Sequence, residues 1–338
     1  MPDTTIEFMT NQLDQLAQGY QWSQVLFRAL DVNLFTHTQD WSTPEQVGEA
    51  TGWHGRAARM MLDALTTQGL LEKQKGVYRN SSIAAQCLIP GSLHDQTHIL
   101  KHKAHGWDTW GRLEESLQSG NAIPREQASR STEELRAFIC GMADIGRNSA
   151  QRILEVLDLG KYNHVLDIGA GPGTYSIAFC KAYPKMQATL FDLEEVLPIT
   201  REEVEVAGLT DRIAFQAGDL TQDALGSGYD LIFVSNIIHS YNEATNRDLV
   251  QRCFHALSSG GMLILKDFLV DPDGVEPAFS YLFALHMLVN TGDGDVYTTD
   301  QVAAWSRDAG FLDGTCHDLL PKSNGYTSPT RLWCATKP

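Results

Sequence analysis

Gly169, Gly171 and Gly173 lie in a short loop whose composition suits the binding of a charged small molecule. The loop separates an apolar run at 164–168 from a segment of helical periodicity at 174–182. Glycine lets the backbone approach a ligand closely, and the first turn of a helix offers unpaired N–H groups with a partial positive charge. We therefore expect this loop to hold an anionic group such as a carboxylate.

Acidic residues end the next apolar runs, where the strands of one sheet open onto a crevice. Asp192 lies 19 residues after Gly173, where an acid can accept hydrogen bonds from ribose hydroxyls, and Asp219 ends a third run. The spacing G-x-G-x-G departs from the G-x-G-x-x-G of the dinucleotide fingerprint. The pattern consequently favours an adenosyl ligand other than NAD.

A histidine, His239, follows a fourth apolar run that ends in Ser235 and Asn236. Histidine changes its charge near neutral pH, so it can take a proton from a hydroxyl as that oxygen attacks. His239 is therefore a candidate general base, a role that the family resemblance given below implies for it; a positioning or structural histidine is the alternative.

The elements that position these groups alternate between short apolar runs and helical segments from about residue 159 onwards. Such alternation is typical of a parallel sheet covered by helices. The sequence predicts a doubly wound, seven-stranded α/β sheet over 159–338. It also predicts an N-terminal module over 1–94 and a helical bridge over 95–158 that lines an acceptor pocket.

The N-terminal module is predicted to be helical with a small hairpin. Thr43, with Gln46 three residues later, marks a helix start, and Lys75-Gly76 marks a hairpin turn. Helix, turn, helix and hairpin is the order of a winged-helix module, whose common use is DNA binding. Residues 1–90 hold 6 basic and 9 acidic side chains, a net of −3, which opposes that use. We expect a dimerisation domain instead.

The composition excludes several classes of partner. A net charge of −16 opposes binding to nucleic acid or to anionic lipid. The six cysteines form no C-x-x-C pair, so neither a zinc site nor a disulfide framework is predicted. No apolar run approaches the ~20 residues that span a bilayer, and the first residues lack the pattern of a signal peptide. We expect a cytoplasmic protein.

The glycine loop, the two spaced acids, the run NIIH at 236–239 and the run GGMLIL at 260–265 together resemble a known family. They are similar to the two-domain O-methyltransferases that use S-adenosylmethionine (SAM), a type that includes plant caffeate and isoflavone enzymes, acetylserotonin methyltransferase and bacterial natural-product enzymes. The resemblance covers nearly the whole chain. It implies a Rossmann-like class I methyltransferase sheet, a winged-helix dimerisation domain, a homodimer, and S-adenosylhomocysteine (SAH) as product.

The resemblance also implies residue roles. Asp167 is expected to receive the methionine ammonium of SAM and Asp192 the ribose hydroxyls, while Asp219 and Leu220 flank the adenine. The implied cofactor residues are Asp167, Gly169, Gly171, Gly173, Asp192, Leu193, Gly218, Asp219, Leu220, Ser235 and Asn236. The implied acceptor residues are Phe138, Met142, His286, Met287 and Asn290.

A pocket-facing role is best supported for His286 and Asn290. They are polar, one helical turn apart, and lie within an apolar run, so burial without a partner would be costly. Phe138 and Met142 fit a helix core at least as well.

The chain departs from the family pattern around the base. The family histidine is usually followed by Asp-Trp, whereas Ser240-Tyr241 follow here; a glutamate of plant members is matched by Val296, beside Asp295. The C-terminal strand at 331–335 has no acid. We therefore expect no secure carboxylate partner for the base, which leaves S-methylation of a small thiol or thioether acid as an alternative. A SAM-binding DNA regulator is a further one.

A second histidine group is formed by His94, His98, His102 and His105. The spacing predicts four imidazoles on one helix face, and two imidazoles one turn apart can bind zinc. Because no acid or cysteine ligand accompanies them, we expect a pocket wall or a subunit contact and no metal.

Overall fold

A computed structural model describes residues 3–124, 132–319 and 329–338. The chain forms two compact units, Met1–His105 and Gly106–Pro338. This division falls between the predicted boundaries at 94 and 158. The three functional segments predicted from the sequence remain a prediction.

The first unit is helical with one small antiparallel hairpin. Its elements are α1 (Asp3–Asp31), α2 (Leu34–His37), α3 (Pro44–Thr51), α4 (Gly55–Thr67), β1 (Leu71–Gln74), β2 (Val77–Asn80), α5 (Ser82–Cys87) and α6 (Thr97–His105).

The predicted helix start and hairpin turn are both present in this unit. The Thr43 hydroxyl accepts from the Gln46 amide at 3.3 Å, and the Gln46 side chain accepts from the Thr43 amide at 2.8 Å, which is a capping box. Lys75 and Gly76, with φ of 49° and 82°, turn the chain between β1 and β2. The order α3, α4, β1, β2 is the one predicted.

The first unit buries one side of its helices and leaves most of α1 exposed. Its core holds Leu34, Phe35, Leu62, Leu65 and Tyr78 among other residues. Along α1 large apolar side chains stay in contact with solvent, namely Met9, Leu13, Leu16 and Tyr20, with Leu16 80% exposed. Among the described residues, no helix is long and apolar enough to cross a membrane.

The second unit alternates strands and helices after three initial helices. Its elements are α7 (Trp107–Gly111), α8 (Leu113–Ser119), α9 (Thr132–Val156), β3 (His164–Ile168), α10 (Thr174–Ala182), β4 (Gln187–Asp192), α11 (Leu197–Val206), β5 (Ile213–Ala217), β6 (Tyr229–Ser235), a 3₁₀ turn (Ile238–Ser240), α12 (Glu243–Ala256), β7 (Leu257–Asp267), α13 (Ala278–Asn290), α14 (Thr299–Ala309), β8 (Thr315–Asp318) and β9 (Arg331–Thr336).

The strands form a sheet of order β5-β4-β3-β6-β7-β9-β8 within the described part of the chain. Pairs from β5 to β7 are parallel, whereas β9 is antiparallel to β7 and to β8. The chain builds outwards from β3 to β5 and then from β6 to β7 in the other direction. The strand order therefore reverses between β3 and β6, where ligands bind in open α/β sheets. The predicted seven-stranded, doubly wound sheet is confirmed.

Helices cover both faces of this sheet. On one face Ile232 packs in a core with Val250 of α12 and Trp305 of α14. On the other, Phe233 packs in a core with Phe179 of α10. Because both faces are buried, β6 is apolar almost without interruption, as expected for a central parallel strand.

Candidate active site

The glycine loop after β3 has the backbone that only glycine adopts freely. Gly169, Gly171 and Gly173 have φ of 67°, 53° and 73°. A Cβ at Gly169 would collide with the side chain of Ile237, and one at Gly173 would lie 2.9 Å from Leu190. At Gly171, in contrast, no described atom outside the adjoining residues lies within 4 Å of the position that a Cβ would take. The loop is packed from below at its ends and open at its centre, as a ligand cradle requires.

Asp192, at the end of β4, fixes the centre of this loop. Its carboxylate accepts hydrogen bonds from the amide N–H of Gly171 at 2.6 Å and from that of the next residue, Leu193, at 2.8 Å. The Thr200 hydroxyl donates to the Gly171 carbonyl at 2.6 Å. Burial raises the pKa of Asp192, and the two N–H groups oppose that rise. Asp192 thus holds the cradle itself, in addition to any role towards a ribose.

Asp167 lies beneath the loop near the end of β3 and is 2% exposed. The Ser176 hydroxyl donates to its carboxylate at 2.7 Å. Burial raises the pKa of Asp167 to about 7, and the charge of Asp192 adds to the rise. Within the described residues Asp167 forms no ion pair, so this acid has no cation of the protein to stabilise its charge.

Gly218, Asp219 and Leu220 follow β5, next to the end of β4. The Gly218 amide donates to the Asp192 carbonyl at 3.0 Å. Asp219 accepts the Thr221 amide at 2.8 Å and its hydroxyl at 2.7 Å, and these bonds lower the pKa of Asp219. Leu220 is buried. These three residues form a hydrogen-bonded turn at the carboxyl edge of the sheet, beside Asp192, which holds the glycine loop.

His239 has a carboxylate partner that the sequence reasoning missed. Its Nδ1 lies 2.7 Å from Oδ1 of Asp267, at the end of β7. The His239 side chain is 12% exposed and that of Asp267 is 3% exposed. Burial raises the pKa of Asp267, but the charge and hydrogen bond of His239, the Phe268 amide and the charge of Lys266 outweigh it, so the pKa is lowered overall. The expectation that the base lacks a carboxylate partner is therefore wrong.

A strand-end rule could have found Asp267. β6 and β7 are parallel neighbours with Ser235 opposite Lys266, so the residues just beyond these strands meet at one edge. An acid that ends the strand next to the histidine was the available signal. The exposed carboxylate of Asp295, the acid beside Val296, instead accepts the Val296 amide at 2.7 Å.

The turn that carries His239 is held by several neighbours. Nδ2 of buried Asn246 on α12 donates to the carbonyls of Ile238 at 2.8 Å and Tyr241 at 3.0 Å. The Asp295 amide donates to the His239 carbonyl at 3.0 Å. Asp295 thus contributes its backbone to the turn.

Aromatic rings form one wall beside the imidazole. The Phe283 ring lies edge-on to His239 at 4.9 Å and is stacked with Phe268 at 3.9 Å and with His286 at 5.7 Å between ring centroids. Trp110 Nε1 donates to His286 Nδ1 at 3.2 Å. The two histidines therefore lie on a continuous aromatic surface. Such a surface suits a flat ring.

The predicted acceptor residues divide into two groups. His286 and Asn290 lie one turn apart on α13, and Nδ2 of Asn290 is 3.3 Å from Nδ1 of His286. Met287, on the same helix, is buried. Phe138 instead packs against a small core that includes Ile139 and Val196. The half-buried Met142 lies one turn further along α9. The structure thus joins His286 and Asn290 to the aromatic wall and gives Phe138 a packing contact.

The predicted face of four histidines does not form. The carboxylate of Asp95 accepts the amide of Thr97 at 2.8 Å, and helix α6 begins at that threonine, so His94 lies before the helix. His98, His102 and His105 do lie on α6. In the ranges that the structure describes, no group of three or more such side chains is arranged to hold a metal ion.

The arrangement combines two functions at one edge of the sheet. A glycine cradle with buried Asp167 can bind a ligand that carries both an anionic and a cationic group. Next to it, Asp267 fixes an imidazole that can accept a proton from a second molecule. This combination fits a transfer reaction between two bound molecules.

Comparison with known families gives two matches along the chain. Residues 118–312 match the model of an O-methyltransferase domain, and residues 14–89 match that of an O-methyltransferase dimerisation domain. The first match alone spans more than half of the chain.

Individual proteins agree over nearly the full length. The chain is 32% identical to 3-hydroxy-5-methyl-1-naphthoate 3-O-methyltransferase of Streptomyces sahachiroi, covering 94% of each protein. It is 29% identical to acetylserotonin O-methyltransferase of Bos taurus, covering 90% of this chain and 93% of that protein. The crystal structure of human N-acetylserotonin methyltransferase in complex with SAM matches the fold with a TM-score of 0.87 at 24% identity, over 97% of each chain.

Proposed function

The chain belongs to the O-methyltransferase family, and from this premise we propose that it transfers the methyl group of SAM to a hydroxyl of a small aromatic acceptor. The products are a methyl ether and SAH. The observation that carries the proposal is the pair of His239 and Asp267 at the same sheet edge as the glycine cradle.

The residues around the cradle fit SAM. Bound SAM supplies an electrophilic methyl group on a sulfonium. The open space at Gly171 and the following helix start suit its carboxylate, and buried Asp167, which lacks a cationic partner in the described chain, suits its ammonium. The further residues proposed for the nucleoside are Gly169, Gly173, Asp192, Leu193, Gly218, Asp219, Leu220, Ser235 and Asn236.

His239 removes the acceptor's proton in this proposal. Because the pKa of Asp267 is lowered, its carboxylate is ionised and accepts a hydrogen bond, so Nδ1 of His239 carries the hydrogen. Nε2 then has a free lone pair for the acceptor hydroxyl. Asp267 also stabilises the imidazolium that forms, as a carboxylate partner does for other histidine bases.

The aromatic wall supports a planar acceptor. Phe283 connects His239 to His286, so a ring lying along this wall places one substituent near each histidine. The relative from Streptomyces sahachiroi is named for methylation of a hydroxynaphthoate. We propose Phe283, His286, Met287 and Asn290 as acceptor contacts on this side. Phe138 and Met142 are secondary candidates for contact with the acceptor.

The two alternatives, S-methylation and a DNA regulator, have less support than O-methylation. S-methylation depends on a base without a carboxylate partner, whereas His239 has Asp267 as its partner. A DNA regulator has no supporting observation beyond the order of α3, α4, β1 and β2. O-methylation is therefore the function that we favour.

We further propose a homodimer formed through the N-terminal unit. The match to a dimerisation domain and the exposed apolar side chains of α1, with Leu13 and Leu16 65% and 80% exposed, support this assembly. All six cysteines are free thiols, which fits a reducing, cytoplasmic environment.

Calorimetry and an acceptor screen test the function. Titration with SAH should give saturable binding, and labelled SAM should methylate 3-hydroxy-5-methyl-1-naphthoate or a related hydroxyarene in preference to a small thiol. Transfer to the thiol alone would favour the sulfur alternative. Absence of both SAH binding and methyl transfer would refute the proposal.

A further inference from the structure

Lys266, the residue before Asp267 on β7, is buried in the core with 1% of its surface exposed. Successive residues of a strand point to opposite faces of the sheet, so Lys266 and Asp267 leave β7 in opposite directions. A buried ammonium is costly unless it has partners, and such a residue calls for a reason beyond packing.

The partner of Lys266 is the residue that begins the His239 turn. Its Nζ donates to Oδ1 of Asn236 at 3.1 Å, and its carbonyl accepts the Asn236 amide at 2.7 Å. The Tyr175 ring lies 5.5 Å from Nζ on the other side. The nearby hydroxyls of Ser235 and Tyr175 are buried without hydrogen-bond partners in the described chain, so the amine is not bonded to them. The side-chain amine and the backbone carbonyl of Lys266 therefore both bind Asn236.

Asn236 has a left-handed backbone, which these contacts hold in place. Its φ is 56°, in a region that costs every residue except glycine free energy, although asparagine less than most. This turn redirects the chain from the end of β6 into the 3₁₀ turn that presents His239. A change of φ at Asn236 would therefore shift the imidazole relative to Asp267.

We propose that Lys266 is a positioning residue that holds Asn236 in its left-handed conformation and thereby aims His239. Two consecutive residues of β7 thus secure the two ends of one turn, with Lys266 holding its start and Asp267 holding the imidazole. This inference rests on the proposed role of His239 as the base. The charge of Lys266 also helps to keep Asp267 ionised, although His239 contributes more.

The test removes the donor while keeping the volume of the side chain, in Lys266→Met. NMR of ¹⁵N-labelled histidine in ligand-free protein reads the tautomer of His239, with the signal assigned through His239→Gln. In the wild type, hydrogen should reside on Nδ1; in Lys266→Met, we expect mixed tautomers. With an acceptor found in the screen described above, kcat should fall roughly 10-fold, because small misplacements of reacting groups are costly.

A glycine at position 236 tests the route of the effect. Glycine adopts a positive φ without help, so in the Asn236→Gly background the additional loss of kcat from Lys266→Met should shrink to about 2-fold or less. Lys337→Met is the matched control. Like Lys266, Lys337 donates hydrogen bonds to oxygen acceptors, here the carbonyls of Phe254 and Leu257, and lies over an aromatic ring. It is distant in sequence from the turn that carries His239. It should leave the tautomer of His239 unchanged.

Three results would overturn the inference. They are an unchanged His239 tautomer in Lys266→Met, an equal tautomer change in Lys337→Met, and an undiminished loss in the Asn236→Gly background. Because the tautomer is read without acceptor or SAM, an enzyme that shows no methyl transfer would refute the proposed function and leave this inference to be judged by NMR alone.

Discussion

Asp167 and Asp267 lie at the same edge of the sheet and are equally buried, each with 2% of its surface exposed. Burial raises the pKa of Asp167 to about 7, whereas His239, the Phe268 amide and Lys266 reverse the effect of burial at Asp267 and lower its pKa. In the described part of the chain, Asp267 has an imidazole and a lysine beside it, whereas Asp167 forms no ion pair. This difference supports the proposal that Asp167 binds the ammonium of the cofactor, whereas Asp267 binds a residue of the chain, His239.

The largest expected effect is on the imidazole beside Asp267. His239→Gln should lower kcat by roughly 10³-fold, since a positioned general base contributes about 10²–10⁴-fold. The SAH dissociation constant should stay the same, because the proposed cofactor contacts lie elsewhere. Steady-state kinetics and calorimetry check both statements. A loss of SAH binding equal to the loss of rate would mean that the two regions are not separable.

Removal of the charge at position 267 should have the next largest effect. Asp267→Asn keeps the shape but can present its NH₂ group to Nδ1, which favours the wrong tautomer of His239. We expect kcat to fall roughly 100-fold, as for other residues that orient a functional imidazole. Asp295→Asn is the control, because that carboxylate is exposed and, among the described residues, accepts a hydrogen bond from the Val296 amide and not from His239. Equal losses in the two variants would remove Asp267 from the mechanism.

A substitution in the glycine loop should weaken the binding of SAH and leave the chemical step of methyl transfer largely unchanged. Gly171→Val puts a branched side chain into the open space at a φ of 53°. The branched side chain occupies space that the ligand needs, which lowers the affinity, whereas the backbone cost of about 1–2 kcal/mol lowers the stability of the free and the bound protein alike. We expect the SAH dissociation constant to rise at least tenfold. Calorimetry that shows unaltered affinity would exclude the cradle as the ligand site.

The charge of Asp167 should make SAH binding depend on pH. Its folded pKa, about 7, exceeds its ordinary value, so the ammonium of SAH meets a charged carboxylate only above that pH. Affinity should therefore rise roughly tenfold from pH 6 to pH 8, because most Asp167 side chains are protonated at pH 6 and each must release that proton when the ammonium binds. In Asp167→Asn this dependence should be lost.

The same pKa sets the sign for the stability of the ligand-free protein. Between about pH 4 and pH 7 the folded state holds a proton on Asp167 that the unfolded state has released. The free energy of unfolding should accordingly decrease as pH rises through this window, and less so in Asp167→Asn. Thermal unfolding across this range gives the measurement; identical pH profiles would show that Asp167 is not the group responsible.

Local patterns in the sequence are sufficient to predict much of the fold and the conformation of the glycine loop. The cap at Thr43, the turn at Lys75-Gly76 and the loop at 169–173 each depend on neighbouring residues and appear as expected. The position of β6 and β7 side by side is a long-range property. Asp267 was therefore missed, since it lies 28 residues from His239 and meets it only through strand register.

Competing local interactions explain the other differences. Asp95 binds the amide of Thr97 and starts α6 there, which separates His94 from the histidines that follow. Helical spacing could not show which face of α9 Phe138 occupies, and the structure packs it against Ile139 and Val196. In both cases helical spacing alone does not decide the outcome, and a contact with a neighbouring residue does.

A crystal structure of the protein with SAH and the identified hydroxyarene bound would test the proposed proton transfer most directly. We expect the acceptor hydroxyl within about 2.6–3.2 Å of Nε2 of His239, with Nδ1 still bound to Asp267. A hydroxyl that lies on another side chain, with Nε2 of His239 facing only apolar atoms, would contradict the assignment of His239 as the base.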